Sequence, residues 1–137
     1  MLKKFYNLGK NLPSKILLIL AKQNEQYIAG ALNFMSDTHL YGRLWGAITY
    51  VPFLHFELCY YQAIEYAIKN KLGTVEAGAQ GSHKIQRGYM PKETYSFHWI
   101  KNVNFKEAIN SYLDEEIKII EKQKEDLEQF APFKKLN

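Results

Sequence analysis

Short apolar runs separated by polar turns open the regular part of the chain. Residues 15–22 read KILLILAK and residues 27–35 read YIAGALNFM, with the turn-forming pair Asn24-Glu25 between them. Short runs rich in branched and aromatic side chains, bounded by turn residues, are typical of β-strands. We therefore predict two strands joined as a hairpin.

A third run follows the polar turn Ser36-Asp37-Thr38. Residues 39–49 read HLYGRLWGAIT, which predicts a third strand. Gly42 and Gly46 interrupt this run, and a glycine inside a strand pattern marks a bulge or a close approach of another backbone. His39 falls in this strand pattern, and we interpret it as a structural residue.

Helical periodicity replaces alternation after Pro52. Proline suits the first turn of a helix, which we expect to run over residues 52–70. Lys71-Leu72-Gly73 then supplies the cation and the glycine that are typical of a helix end. The spacing of three and four predicts one buried face, formed by Phe53, Phe56, Tyr60, Ile64, Ala67 and Ile68.

The second half of the chain predicts two strands and a long helix. Residues 74–77 are a short strand, and residues 95–100 (YSFHWI) alternate as another, with His98 inside it as a structural residue. A helix is expected over 104–130, capped by Asn104 with Glu107 completing a capping-box pair. Its apolar stripe comprises Phe105, Ile109, Tyr112, Leu113, Ile117, Ile120, Leu127 and Phe130.

These elements predict an α/β (α+β) fold with a mostly antiparallel sheet flanked by helices. Residues 1–14 are basic and punctuated by Gly9 and Pro13, and we expect a lead-in without an element of its own. Residues 15–134 are expected to form one domain. The order β-β-β-α-β-loop-β-α resembles the core of the acyl-CoA N-acyltransferase (GNAT-like) fold.

Composition narrows the class of protein. The chain has 137 residues, 47% of them hydrophobic, and a formal net charge of +4, which permits but does not require phosphate-bearing partners. A single cysteine, Cys59, excludes an internal disulfide and favours a reducing compartment. The apolar run 16–21 is far shorter than the roughly 20 residues that span a bilayer. We therefore predict a cytoplasmic protein without a membrane span.

The richest concentration of chemistry lies in residues 78–91, which read GAQGSHKIQRGYMP. Three glycines and a proline exclude a continuous helix, and the loop they form carries a histidine, a lysine, an arginine and a glutamine. Polar and cationic side chains concentrated on one loop indicate a ligand or catalytic site.

Several segments, in this order, resemble one protein family. They are Trp45-Gly46, residues 54–68 (LHFELCYYQAIEYAI), 76–91 (EAGAQGSHKIQRGYMP), 96–99 (SFHW) and the closing 132–134 (PFK). Together they resemble the FemAB-like, peptidoglycan biosynthesis/recognition family of predicted N-acyltransferases, over residues 15–134. Members are typically longer, with two tandem acetyltransferase-like halves, and this chain resembles the C-terminal portion.

The resemblance implies transfer of an acyl or aminoacyl group to an amine. The implied partners are an amine acceptor and an acyl donor, either acyl-CoA or aminoacyl-tRNA, with no tightly bound cofactor. It also implies association with a missing N-terminal half or with a second copy. The alternative function is a non-catalytic domain that recognises a cell-wall peptide or a protein partner.

Lys84 is the first candidate for a catalytic role. The pattern Lys84-x-x-x-Gly88-Tyr89-x-Pro91 is similar to a segment of Fem-type aminoacyl transferases, in which a fixed cation would stabilise a tetrahedral oxyanion. The plain alternative is a surface lysine beside a turn. Gln80, Gly81, Gly88 and Tyr89 belong to the same motif and are expected to bind substrate or donor.

His83 and Arg87 flank this lysine. His83 is a candidate base for the attacking amine, and its alternative is a loop-stabilising hydrogen bond. Arg87 is a candidate clamp for a phosphate or carboxylate, and its alternative is an ion pair with an acid such as Glu76.

The start of the first predicted helix supplies further candidates. Its N-terminus would meet the donor's phosphates, with His55 and Tyr60 as donor-binding residues. Glu57 is a second candidate base if it is half-buried, because desolvation raises the pKa of a carboxyl group. We interpret Cys59 as a core residue. The spacing of histidines and acids predicts no metal site, and the basic residues predict no dedicated nucleic-acid module.

Overall fold

A four-stranded sheet lies at the centre of the first of two units. The computed structural model describes residues 2–78 and 81–133, and the chain divides into Met1–Gln80 and Gly81–Asn137. The sheet has the order β1-β2-β3-β4, with three antiparallel strands and a parallel fourth. The strands are β1 (Ile16–Gln23), β2 (Gln26–Met35), β3 (His39–Ala47) and β4 (Thr74–Glu76). The prediction of a mixed α/β fold with a mostly antiparallel sheet is confirmed.

The predicted hairpin joins β1 to β2. Both central residues of its turn have positive φ, 46° at Asn24 and 63° at Glu25. Positive φ at both positions defines the type I′ turn, whose twist matches that of the flanking strands. Lys22 forms an ion pair with Glu25 beside the turn.

β3 and β4 pair over three residues only, from His39 opposite Thr74 to Tyr41 opposite Glu76. The register of β2 and β3 shifts where Asn33 pairs with Gly42, so the predicted bulge in β3 is confirmed there. A Cβ at Gly42 would lie 3.2 Å from the carbonyl oxygen of Glu76. β3 continues beyond this point to Ala47, so the sheet is open at the carboxyl ends of its parallel pair.

One face of the sheet packs against the helical segment that follows β3. Ala29, Ala31 and Leu58 form a buried cluster, and Ile19 and Cys59 pack against it. The small side chains of Ala29 and Ala31 on β2 let the helical segment that carries Leu58 pack closely against the sheet. The cluster therefore fixes the segment that carries the first group of candidate site residues.

The predicted single helix over 52–70 is wrong in its continuity, and its predicted buried face is confirmed only in part. The segment consists of α2 (Leu54–Phe56), a π-helix (Glu57–Tyr61) and α3 (Gln62–Lys69). A π turn inserts one extra residue, which rotates everything after it. Tyr60 and Ala67 of the predicted face are buried together with Leu58 and Ala63, whereas Phe53 and Ile68 of that face are 79% and 73% exposed.

α3 ends in a Schellman motif. The Leu72 amide donates to the Ala67 carbonyl at 2.9 Å, and the Lys71 amide donates to the Ile68 carbonyl at 3.1 Å. Lys71, with φ 57°, occupies the left-handed position that Gly73 was expected to serve. The Gly73 amide instead donates to the Thr38 carbonyl at 2.8 Å, which ties the helix end to the turn before β3.

The prediction that residues 1–14 form no element is wrong. They contain α1 (Leu2–Asn11), and a 3₁₀ turn, Pro13–Lys15, follows it. Gly9 lies in the last turns of the helix, where a single glycine costs only about 1 kcal/mol. Pro13 stands just beyond the end of α1, where its missing amide breaks no helical hydrogen bond. The division into a lead-in and a domain over 15–134 stays a prediction.

The second unit contains a 3₁₀-helix, Ser82–Arg87, and α4 (Val103–Glu128). The predicted strand over 95–100 is wrong, because these residues have no regular secondary structure in the described structure. Alternation alone does not form a strand without a neighbour to complete its hydrogen bonds. His98, which that strand was expected to hold, lies 3.0 Å from the Ser96 hydroxyl oxygen.

The start of α4 lies closer to the N-terminus than the capping pattern predicted. The Asn102 Oδ1 accepts from the Phe105 amide at 3.0 Å, so Asn102 rather than Asn104 is the cap. The helix ends at Glu128 instead of residue 130. Much of its predicted apolar stripe is exposed, with Phe105, Tyr112 and Phe130 each at least 60% accessible.

Candidate functional site

A cavity of about 590 Å³ lies where β3 runs into α2. Its position at the carboxyl end of a parallel strand is where open sheets commonly bind ligands. The chain passes through residues 48–53 here before the helical segment begins, so strand end, loop and helix start all contribute. The lining residues are Trp45, Ala47, Ile48, Thr49, Tyr50, Val51, Phe53, Leu54, His55 and Phe56.

His55 lies in a group of aromatic rings beside this cavity. Its ring makes edge-on contacts with Trp45, Phe56 and Tyr60, at centroid distances of 5.3, 5.5 and 5.6 Å. Edge-to-face packing directs the positive edge of one ring at the negative face of another. Two predicted donor-binding residues, His55 and Tyr60, are therefore brought together, and Tyr60 is buried.

Phe53 gives the loop an unusual shape. Its φ of 65° and ψ of −3° place it in the left-handed region, immediately before α2. A non-glycine residue costs roughly 1–3 kcal/mol in such a conformation, and residues of this kind cluster at binding sites. The Glu57 amide donates to the Phe53 carbonyl at 3.1 Å, so the strained residue is tied into the first helical turn.

Glu57 and Cys59 follow on the π-helix with different environments. Glu57 is exposed, and its Oε1 accepts from the Gln62 amide group at 2.8 Å, so the half-buried setting that a base role required is absent. Burial raises the pKa of the Cys59 thiol to about 11. A protonated thiol at neutral pH agrees with the interpretation of Cys59 as a core residue.

The loop candidates His83, Lys84 and Arg87 lie on the 3₁₀-helix of the second unit. Arg87 Nη1 donates to the His83 carbonyl at 2.7 Å, and the Tyr89 amide donates to the Lys84 carbonyl at 3.2 Å. The alternative role predicted for the His83 side chain was a loop-stabilising hydrogen bond. The contact with Arg87 instead uses the backbone carbonyl of His83. Burial lowers the pKa of the Lys84 ammonium, because desolvation disfavours its charged form.

Gly81 and Gly88 bound this helix, and both have positive φ, 104° and 84°. A Cβ at Gly81 would lie 2.6 Å from Cε1 of His83, and one at Gly88 would lie 2.5 Å from Cε2 of Phe133. Glycine at these positions lets the turn form and lets the two rings approach the backbone. Gln80, the remaining predicted binding residue, lies outside the described residues.

Sequence reasoning named the loop residues but missed the grouping of Trp45 and Phe56 around His55. The signal was the density of aromatic residues between positions 45 and 61, which was interpreted as a buried helical face. The histidines interpreted as structural contact neighbours in their own segments. His39 stacks on Tyr41 at 5.7 Å and lies 2.8 Å from the Thr38 hydroxyl oxygen.

Two further expectations concern metals and membranes. Over residues 2–78 and 81–133, no group of three or more histidine, cysteine or acidic side chains is arranged to hold a metal ion. In the same described part of the chain, no helix has the length and apolar character needed to cross a bilayer.

Comparison with known proteins gives one match. No curated protein and no solved structure matches the chain significantly. A family model does match, that of the FemAB-like proteins, described as peptidoglycan biosynthesis/recognition, and it aligns with residues 1–135. Because the match spans nearly the whole sequence, the chain belongs to the FemAB-like family of peptidoglycan biosynthesis/recognition proteins.

Proposed function

We propose that this protein is an N-acyltransferase with a GNAT-like fold, which transfers an acyl or aminoacyl group to an amine in peptidoglycan biosynthesis. Membership of the FemAB-like family over residues 1–135 is the observation that carries the proposal. The loop 76–91 supports it, because its pattern of lysine, glycine and aromatic residue is similar to that of Fem-type aminoacyl transferases.

The sheet also supports a ligand-binding role. β3 and β4 run parallel, and they pair only between His39–Tyr41 and Thr74–Glu76. Their carboxyl ends point to the same edge of the sheet, where crevices in open α/β sheets accept ligands. The cavity follows β3 at this edge, and the chain leaves β4 at this edge through Ala77 and Gly78.

The reaction requires a base and a stabiliser of negative charge. The acceptor nitrogen attacks the donor carbonyl carbon, the base takes a proton from that nitrogen, and a tetrahedral oxyanion forms. Collapse of the oxyanion breaks the carbon–sulfur or carbon–oxygen bond of the donor, and the leaving thiolate or alkoxide takes up a proton.

His83 is the better candidate for the base, because it is partly buried and adjacent to Lys84, whereas Glu57 is exposed. Lys84 and Arg87 are the candidates for the cationic groups. A partly desolvated ammonium interacts more strongly with an oxyanion than one in bulk water does, which agrees with the lowered pKa of Lys84. Arg87 is oriented by its hydrogen bond to His83 and is suited to a phosphate of the donor.

Transfer of a labelled acyl group by the purified full chain tests the proposal. Acyl-CoA and aminoacyl-tRNA serve as donors, and amine-bearing muramyl peptides serve as acceptors. We expect Lys84→Ala to lower kcat/KM by about 100-fold or more, Lys84→Arg to recover part of the loss, and His83→Ala to lower kcat. Lys92→Ala, an exposed lysine in the same unit, is the matched control and should leave kcat/KM unchanged. Unchanged turnover in both the Lys84→Ala and His83→Ala variants would contradict the assignment.

A recognition domain without catalysis is the second candidate function. Three aromatic side chains in the second unit, those of Tyr95, Phe97 and Trp99, are 80%, 96% and 84% exposed. Exposed aromatic side chains of this kind supply contact surface in many binding sites, which favours recognition of a cell-wall fragment. Calorimetry with muramyl peptides separates the two functions. Binding that is lost in a Phe97→Ser, Trp99→Ser variant, with no donor binding and no turnover, would favour recognition over catalysis.

A further inference from the structure

We propose that the cavity between β3 and α2 binds an uncharged apolar chain of several carbons, the hydrocarbon part of the transferred acyl group. The identification of this chain as an acyl group rests on the proposed N-acyltransferase function. The affinity for an apolar group rests on the cavity alone, so the two statements can fail separately.

The chemistry of the lining selects an uncharged ligand. Four of its side chains are Trp, Tyr or Phe rings, and Ile48, Val51 and Leu54 add aliphatic walls. Thr49 and His55 add the polar side chains of the lining, and none of the described lining residues is an Asp, Glu, Lys or Arg. A charged group placed here would lose its hydration without gaining an opposite charge, which is strongly unfavourable. An uncharged apolar group loses nothing of this kind and gains burial.

The same lining disfavours the phosphate site that the helix start was expected to form. None of the described lining residues is a Lys or Arg that could pair with a phosphate at the start of the helical segment. The faces of the surrounding rings carry negative charge density, which repels anions further. We therefore assign the cavity to the apolar part of the donor, and the phosphate role of the helix start stays a prediction.

The volume of the cavity selects a chain longer than acetyl. Small-molecule sites commonly have volumes of about 300–1,000 Å³, and 590 Å³ falls inside this range. An acetyl group would leave most of this space to water in contact with apolar walls, whereas a longer chain would displace that water.

The side chains at the rim are themselves costly to leave exposed. Ile48, Tyr50 and Phe53 are 78%, 88% and 79% exposed and belong to one loop. Phe53 also has a left-handed backbone conformation, and its side chain lines the cavity. Single exposed apolar residues are ordinary, but three beside one cavity indicate a surface that a ligand covers.

Fluorescence of Trp45 reports binding directly, because this residue lines the cavity. The chain has two tryptophans, and Trp99 is 84% exposed in the other unit, so Trp99→Phe leaves Trp45 as the single reporter. We titrate this full-length variant with pentanamide, hexanamide and heptanamide, and with hexanoate and 6-aminohexanamide as matched charged probes. We expect saturable changes in emission, with affinity rising about four-fold for each added methylene group.

The charged probes distinguish the possible occupants. Hexanoate and 6-aminohexanamide are expected to bind at least ten-fold more weakly than hexanamide. Tighter binding of hexanoate would overturn the proposal in favour of an anion site, and tighter binding of 6-aminohexanamide in favour of an aromatic cage for cations. Absence of any saturable change would overturn the proposal altogether.

Two matched substitutions localise the effect. Ile48→Asp places a charge at the rim, where the exposed position allows folding, and should weaken hexanamide binding at least ten-fold. Ile68→Asp makes the same change at a 73% exposed position outside the cavity lining and should leave the affinity unchanged. Equal effects, or no effect, of the two substitutions would contradict the location.

Turnover then separates this inference from the proposed function. With acyl-CoA donors of increasing chain length, kcat/KM should rise with length, and Ile48→Asp should remove that rise. Amide binding without any turnover would support the cavity and contradict the acyltransferase. Acetyl transfer without amide binding would support the acyltransferase and contradict the cavity.

Discussion

Cys59 links the packing of the helical segment to a measurable titration. It packs against the buried cluster of Ala29, Ala31 and Leu58, and burial raises the pKa of its thiol from 9.0 to about 11. Between these two values the folded chain retains a proton that the unfolded chain has released. Stability therefore falls as pH rises through this window, because the unfolded state binds fewer protons there.

Alkylation of Cys59 by iodoacetamide measures this pKa. A pKa raised by about two units lowers the thiolate fraction about 100-fold at pH 8, so we expect modification at least that much slower in the folded chain than in urea. Mass spectrometry quantifies the modification, and Cys59→Ser corrects for reaction at other side chains. Equal rates in the folded and unfolded chains would show that burial neither raises the pKa of this thiol nor shields it from the reagent.

The π-helix is the element whose effect on packing is easiest to test. Leu58 lies in the π-helix and is 4% exposed, whereas Ile68 belongs to the face that plain helical spacing predicts and is 73% exposed. We expect Leu58→Ala to lower the free energy of unfolding by about 2–5 kcal/mol. Ile68→Ala should change it by no more than about 0.5 kcal/mol.

Urea unfolding of the two variants, followed by circular dichroism, decides between the two helical registers. Both substitutions remove apolar atoms from the same segment, so each is the control for the other. A larger loss for Ile68→Ala than for Leu58→Ala would mean a continuous α-helix with the face expected from sequence.

Elements specified by local pattern were predictable, and those that depend on distant partners were not. The hairpin and β4 follow from short-range signals, and their limits agree with prediction to within one residue. The strand expected at 95–100 had the right alternation but lacks a neighbouring strand in the described structure. The cap of α4 moved from Asn104 to Asn102 because several polar residues compete there, and the backbone decides among them.

The candidate site shows the same difference between features set by local sequence and features set by distant contacts. Glycine, proline and charged residues identified the loop 78–91 from sequence, because their chemistry is visible in the residue types themselves. The convergence of Trp45, His55 and Phe56 was not visible, since it depends on the end of β3, the positive φ of Phe53 and the π turn together. Sequence therefore located the polar candidates, and only the fold located the apolar cavity.

The charge of the whole protein predicts how it responds to salt. Its net charge of +4 attracts a phosphate-bearing donor over distances that salt screens, whereas the cavity lining is uncharged. If the donor is acyl-CoA, its KM should rise several-fold between about 50 and 500 mM NaCl while kcat stays constant. The affinity of the cavity for hexanamide, measured from Trp45 emission, should not weaken over the same range, because burial of apolar surface is not screened by salt.

A phosphate-free donor is the control that isolates this effect. The acyl-N-acetylcysteamine thioester presents the same acyl group and the same scissile bond as acyl-CoA, so its KM should be independent of salt. An aminoacyl-tRNA donor would instead give a steep dependence, with a slope of roughly 0.7–0.9 per phosphate contacted. Equal salt dependence for the CoA and cysteamine thioesters would mean that long-range charge does not recruit the donor, and that Lys84 and Arg87 act only on the reacting carbonyl.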